Sequence, residues 1–281
     1  MFSRLANGWE LIKASAAVLR SDKELVVFPI LSGVGTLIVM ATFAFPMFLA
    51  GLFDQMVTDG EVQPLGVLVG FLFYLVQYTV IFFANTALVG AAMIRLRGGD
   101  PTVGDGFRIA SQRIVPILGY ALISATVGMI LRAISERAGL IGRIVVSLVG
   151  FAWTVATYLV VPVLVVEDVG PVDAIKRSAA LLKRTWGEQL VGNFAMGTVF
   201  GLIGFAVVLV GFALIMLAAV LESAVGIGLA AALIVLALLM LGVVSSTLNG
   251  IYSAAVYRYA AEGQVSGAFN AEMVQGAFRT R

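Results

Sequence analysis

Apolar residues run along this 281-residue chain in six long stretches free of Asp, Glu, Lys and Arg: 25–53, 62–94, 114–131, 144–166, 189–221 and 223–257. A bilayer core of about 30 Å takes roughly 20 helical residues to cross, so five stretches span it with residues to spare and the third is just long enough. The pattern predicts six transmembrane helices over 25–53, 65–94, 114–134, 144–166, 190–221 and 226–257. Strands of a membrane barrel would instead alternate polar with apolar over about ten residues, whereas these runs are apolar all round. Several exceed the minimum length, which leaves room for tilt, kinks or continuation past the membrane surface.

Ahead of the first span the periodicity changes. Leu5, Trp9, Ile12, Ala16 and Leu19 recur at spacings of four and three, with Arg4, Lys13 and Arg20 on other faces. This predicts an amphipathic helix within 1–24. It lies in the membrane interface with Trp9 at headgroup depth, or else packs as an ordinary helix against the bundle. Ser21-Asp-Lys-Glu24 has the form of a capping box and would start the first span as a new helix.

The segment recurs. Ile12-Lys-Ala-Ser-Ala-Ala-Val-Leu-Arg20 lies over Ile175-Lys-Arg-Ser-Ala-Ala-Leu-Leu-Lys183 without a gap, with six identities in nine. A more degenerate basic segment, 107–113, precedes span three, and Pro116-Ile-Leu-Gly echoes Pro29-Ile-Leu-Ser-Gly33. The expected fold is an all-α membrane protein with one transmembrane domain over 1–281. Its six helices form three parallel hairpin units, with cytoplasmic interfacial amphipathic helices before spans one, three and five. Shared composition of basic helices is the competing account of the likeness. Asp100-Pro101 and Gly170-Pro171 place proline where a first helical residue belongs, and Pro29, Pro46, Pro116 and Pro162 fall where they would kink spans. Gly66-x-x-x-Gly70 and Gly197-x-x-x-Gly201 read as faces for tight internal packing.

Charge gives the layout a direction. Fifteen of the 18 Lys and Arg fall in the N-terminal segment, the loops after spans two and four, and the tail 258–281; the other side holds Arg132, Arg137 and Arg143. By the positive-inside bias both termini are cytoplasmic, and the basic side meets anionic headgroups. The headgroup contacts expected are Trp9, Lys13, Arg20, Lys176, Arg177, Lys183, Arg184 and Trp186. The net charge of +2 is too small and too scattered to suggest nucleic acid as a partner.

Composition narrows the chemistry. With 60% hydrophobic and 12% charged residues, the chain carries about half the charge of a soluble protein, roughly 25%. Cysteine and histidine are absent, which removes thiolate and imidazole metal sites, the usual near-neutral acid–base group and the serine triad. Glu167, Asp168 and Asp173 lack metal-ligand spacing and read as helix caps. Gly226-Ile-Gly-Leu-Ala-Ala231 matches a degenerate dinucleotide fingerprint, but no strand precedes it. No cofactor, metal or catalytic residue is expected.

Within the spans only amides and hydroxyls remain. Gln77, Asn85, Thr86, Asn193, Ser246 and Asn249 are expected to line a shallow polar cavity or to join helices by hydrogen bonds.

The stretch from Gly170 to Gly187, Trp9-Glu-Leu-Ile-Lys with Phe28-Pro-Ile-Leu31, and Tyr257-Arg-Tyr-Ala-Ala-Glu-Gly263 resemble a bacterial family of uncharacterised six-span membrane proteins. The Pro-x-x-Ala-x-x-Arg-Ser elbow, 171–178, is also similar to the membrane domain attached to some glycerophosphodiester phosphodiesterases. The first resemblance implies a multi-pass protein of the bacterial cytoplasmic membrane; neither implies a catalytic residue. Two functions follow as expectations. One is a non-enzymatic scaffold or accessory protein gripping anionic lipid. The other is a channel or facilitator for a lipid-like or small neutral solute. Homo-oligomerisation and protein partners stay open.

Overall fold

The computed structural model describes residues 2–49, 51, 57–58, 61–186, 195–265 and 269. They are overwhelmingly helical. Helix α1 (Phe2–Ser21) leads through a 3₁₀ turn (Lys23–Val26) into α2 (Val27–Leu49). A two-residue antiparallel pairing of β1 (Val57–Thr58) with β2 (Glu61–Val62) precedes α3 (Pro64–Leu96). The chain continues through α4 (Val103–Gln112), α5 (Ile114–Arg137), α6 (Leu140–Ala156), α7 (Val160–Val166), α8 (Pro171–Trp186), α9 (Ala195–Val220) and α10 (Ala224–Tyr257), ending in a π-helical turn (Arg258–Glu262). Among the described residues, six segments are long and apolar enough to cross a membrane: Lys23–Leu49, Pro64–Leu96, Ile114–Arg137, Leu140–Val166, Met196–Val220 and Ala224–Glu262.

Burial divides the molecule along its length. From Val225 to Val244 of α10 only Ala230 is buried, whereas from Thr247 to Tyr257 every residue but Asn249 is. Helix α3 behaves alike: none of its residues before Ala84 is buried, and most from Ala84 to Leu96 are. The exposed lengths carry Leu68 and Leu72 of α3, Phe205 and Phe212 of α9, and Leu229 and Leu236 of α10. Such surface suits lipid, whose tails are as apolar as these side chains. The buried ends gather with α1, α4, α7 and α8 into one core that includes Leu11, Leu25, Phe28, Leu88, Leu164, Leu181, Leu182 and Ile251. The two longest helices therefore do two jobs, crossing the apolar layer and then anchoring a packed cap.

Consecutive spans touch, α2 with α3, α5 with α6 and α9 with α10, while α3, α7 and α10 meet one another. Among the short helices, α4 lies on α3, α8 on α7, and α1 on both α9 and α10. Glycine lets these elements close. A Cβ on Gly106 of α4 would lie 2.7 Å from the Ala87 carbonyl oxygen of α3, and one on Gly250 of α10 would lie 2.4 Å from Leu88. Gly70 and Gly201, by contrast, have nothing within 4 Å of a Cβ, so the expected tight packing through those two positions is not found. Chance spacing among 31 glycines explains that reading.

Two local expectations change. Ser21-to-Glu24 forms no capping box: Ser21 Oγ donates back to the Val18 carbonyl at 2.7 Å, and Glu24 Oε2 accepts the Val103 N–H at 2.9 Å. Glu24 thus caps α4, a neighbouring helix, where a carboxylate also meets the positive end of the dipole. The box forms instead at Thr102 and Asp105, two residues beyond the predicted Asp100-Pro101 start. At Gly170-Pro171 proline does begin the helix. The fourth span is not continuous, because α6 stops at Ala156 and α7 begins at Val160. Pro162 has no N–H for the Tyr158 carbonyl and its ring crowds it, so the helix breaks there.

Candidate functional site

Two regions collect the polar chemistry. The first is the outer surface of the short helices. Helix α1 buries Leu11, Ala14, Ser15 and Val18, and it exposes Trp9, Lys13 and Arg20. Trp9, 48% exposed, therefore sits on the basic face and not with Ile12, which is buried. The face shifts because the core contact runs through Leu11, Ala14 and Val18, one residue out of phase with the predicted stripe. On α8 the buried residues are Ala174, Ser178, Leu181 and Leu182, leaving Lys176 and Lys183 outward.

These basic residues are not equivalent. Lys13 Nζ lies 2.9 Å from Glu10, and Lys176 Nζ 3.5 Å from Asp173, both as exposed pairs one helical turn apart. Pairs of that kind are worth little and are readily exchanged for another anion. Arg20 and Lys183 form no ion pair with a described residue. Arg177 donates to Glu167 at 3.0 Å and Arg184 to the Ala260 carbonyl at 2.8 Å, so these two arginines join elements of the fold. The Trp186 side chain lies outside the described residues.

The cap is laced by charges, most of which pair residues far apart in the chain. Tyr257 donates to Glu167 at 2.9 Å, linking the end of α10 to the end of α7. Arg258, 6% exposed, donates to the Leu96 carbonyl at the end of α3, to Gln264 at 2.8 Å and to Glu262 at 3.3 Å. Arg97 reaches the same Glu262 at 2.7 Å. Gly263, at φ 68°, turns the chain out of the π-helical turn, a conformation glycine adopts without penalty. The Arg258-to-Glu262 spacing of four was the available signal. Arg113 pairs with Asp168. Arg95 approaches buried Asp22 at 3.5 Å and bonds Asp100 at 2.8 Å. Burial raises the Asp22 pKa, against the attraction of Arg95. The Thr102 hydroxyl and backbone N–H, both donating to Asp105, hold its carboxyl below the ordinary value. Among the described residues no three acidic, His or Cys side chains cluster as metal ligands would.

The second region is a cavity of about 250 Å³ where α2, α3 and α10 meet the break between α6 and α7. Asn85, Ser246 and Asn249 line it, with Ser32, Tyr158 and Ser253. Gln77 is elsewhere, donating to Thr36 at 2.8 Å across the α2–α3 contact. Thr86 is fully buried and does not line the cavity. Asn193 lies outside the described residues. Ser32, Tyr158 and Ser253 were missed as lining residues because only the fold brings them to Asn85; two hydroxyls on α2 and α10 have no spacing signature.

The profile of a family of unknown function (DUF6159) matches residues 64–268, well over half of the chain. No curated protein matches. Nor does any solved structure.

Proposed function

The chain belongs to this family of unknown function, and we propose that it is a non-enzymatic integral membrane protein whose short helices hold anionic lipid at one membrane surface, as a scaffold or accessory component. The observation that carries this reading is the shared exposed face of Trp9, Lys13 and Arg20 on α1, with Lys176 and Lys183 outward on α8. An aromatic ring at headgroup depth flanked by cations is the chemistry that an anionic interface recognises.

The same proposal sets both termini on the cytoplasmic side of a bacterial inner membrane, following the positive-inside bias. It also treats the chain as three parallel units. The contacts support this arrangement: a short helix precedes each pair of spans, α4 and α8 each rest on the second span of the preceding unit, and α1 rests on both spans of the last. The aligned Ser15 and Ser178 are both fully buried in their helices. No activity is carried over from the elbow's likeness to a phosphodiesterase membrane domain.

The test is energy transfer from the protein's tryptophans to labelled lipid in mixed bilayers. Wild-type protein prefers a labelled anionic lipid over a zwitterionic one; Lys13→Glu, Arg20→Glu, Lys176→Glu and Lys183→Glu together abolish the preference while insertion persists. An unchanged preference would show that α1 and α8 are only bundle helices. A second reading, a facilitator for a neutral solute, is favoured by the cavity at Asn85, Ser246 and Asn249. It requires flux through reconstituted protein that Asn85→Leu with Asn249→Leu abolishes.

A further inference from the structure

The cavity has features that a helix–helix hydrogen-bond site lacks. Asn85, Ser32 and Ser246 line it, and none of the three side chains hydrogen-bonds any described residue. Asn249 uses its amide nitrogen on the Ser245 carbonyl at 2.8 Å, which leaves its oxygen as an acceptor, and Ser253 donates to the Gly250 carbonyl at 2.9 Å. Unsatisfied amides and hydroxyls are costly within an apolar layer. Here they converge on one space. No lining residue is ionisable in the physiological range, so nothing there offsets a ligand's full charge.

Size and surroundings restrict the ligand further. About 250 Å³ is far more than the roughly 10–15 Å³ that a single water requires, and it falls short of the roughly 300–1,000 Å³ of pockets that enclose a whole drug-sized molecule. The rest of a larger ligand must therefore lie outside. Along α10 from Ser246, Leu239, Leu236 and Val235 are exposed on the side of the helix that Ser246 occupies. This face offers an apolar path leading away from the polar space.

We propose that this cavity binds the uncharged, hydroxyl-bearing head of a lipid whose acyl chain lies along the exposed apolar face of α10. Asn85 supplies both a donor and an acceptor to the head, Ser32 and Ser246 its remaining hydroxyl contacts, and Asn249 an acceptor. The inference rests on the cavity alone and is independent of the basic surface of α1 and α8.

Native mass spectrometry of the detergent-purified full chain, titrated with 1-monooleoylglycerol, tests it. One lipid is expected to bind per chain. Asn85→Leu removes hydrogen bonds, and Ser246→Phe fills the space from an exposed position; each is expected to weaken binding about tenfold, the effect of losing one or two such bonds. The four-site charge reversal of α1 and α8 leaves this binding unchanged and affects anionic lipid only, so the two proposals fail separately. Equal binding by both cavity variants, each with an unchanged melting temperature, overturns the site. Free glycerol displacing the lipid at comparable concentration overturns the acyl-chain path and makes the cavity a site for a water-soluble polyol. No binding of the lipid at all overturns the proposal outright.

Discussion

Ser178 shows how one residue secures a broken span. Pro162 interrupts the helix, and the Leu159 N–H that would have continued it is taken by Ser178 Oγ at 3.0 Å. Both residues are fully buried. Ser178→Ala strands that N–H, at an expected cost of about 1–3 kcal/mol in unfolding free energy, read from denaturation in detergent. Adding Pro162→Ala should recover part of the loss, because the helix can then run through Leu159, and the double variant is less destabilised than the sum of the singles. Strict additivity would mean that the break and the cap are unconnected. Pro162 was legible as a kink from sequence alone. Ser178 was legible only as a repeated position, since its partner lies 19 residues away on another helix and the hydroxyl alone does not reveal it. The same limit applies to Ser32 and Ser253, which become cavity residues only when α2 and α10 are placed beside Asn85.

Among elements, the long spans were readable because each carries its signal locally, as a run without charge. Helix starts were less so. Ser21 and Glu24 satisfy the capping pattern in sequence, yet the structure uses Glu24 for the N-terminus of α4, 79 positions ahead, and Thr102 with Asp105 completes that cap. Hydrogen bonds to the Asp105 carboxylate lower its folded-state pKa, so the charged form stabilises the fold above the carboxylate's ordinary pKa of about 3.9. That stabilisation is lost as pH falls through the depressed folded value. Asp105→Asn should be less stable than wild type at pH 7, with the difference shrinking on acidification below about pH 4. Melting temperatures of the two proteins across that range check this; a constant difference would assign the effect to something other than charge. The phase of α1 was likewise not readable, since Leu11 and Ile12 adjoin and both are apolar; only the position of α10 and α9 beside the helix decides which one leads the buried face.

At the scale of the molecule, the asymmetry of 15 basic residues against three gives the stack of apolar helices two unlike ends. The buried core lies with the short basic helices, while Arg132, Arg137 and Arg143 belong to the other end, around the α5–α6 turn. The absence of native cysteine makes orientation directly measurable. Exposed Ala17→Cys and Ala180→Cys should both react with a membrane-impermeant maleimide from the cytoplasmic side, and Gly139→Cys from the opposite side. Labelling of all three from one side would break the six-span order. Whether the basic short helices hold anionic lipid is read most directly by native mass spectrometry of protein released from its membrane. Anionic lipids are expected to stay on the wild-type chain and to be lost from a folded variant carrying Lys13→Glu, Arg20→Glu, Lys176→Glu and Lys183→Glu; an identical lipid complement on both proteins would show that these helices do not hold it.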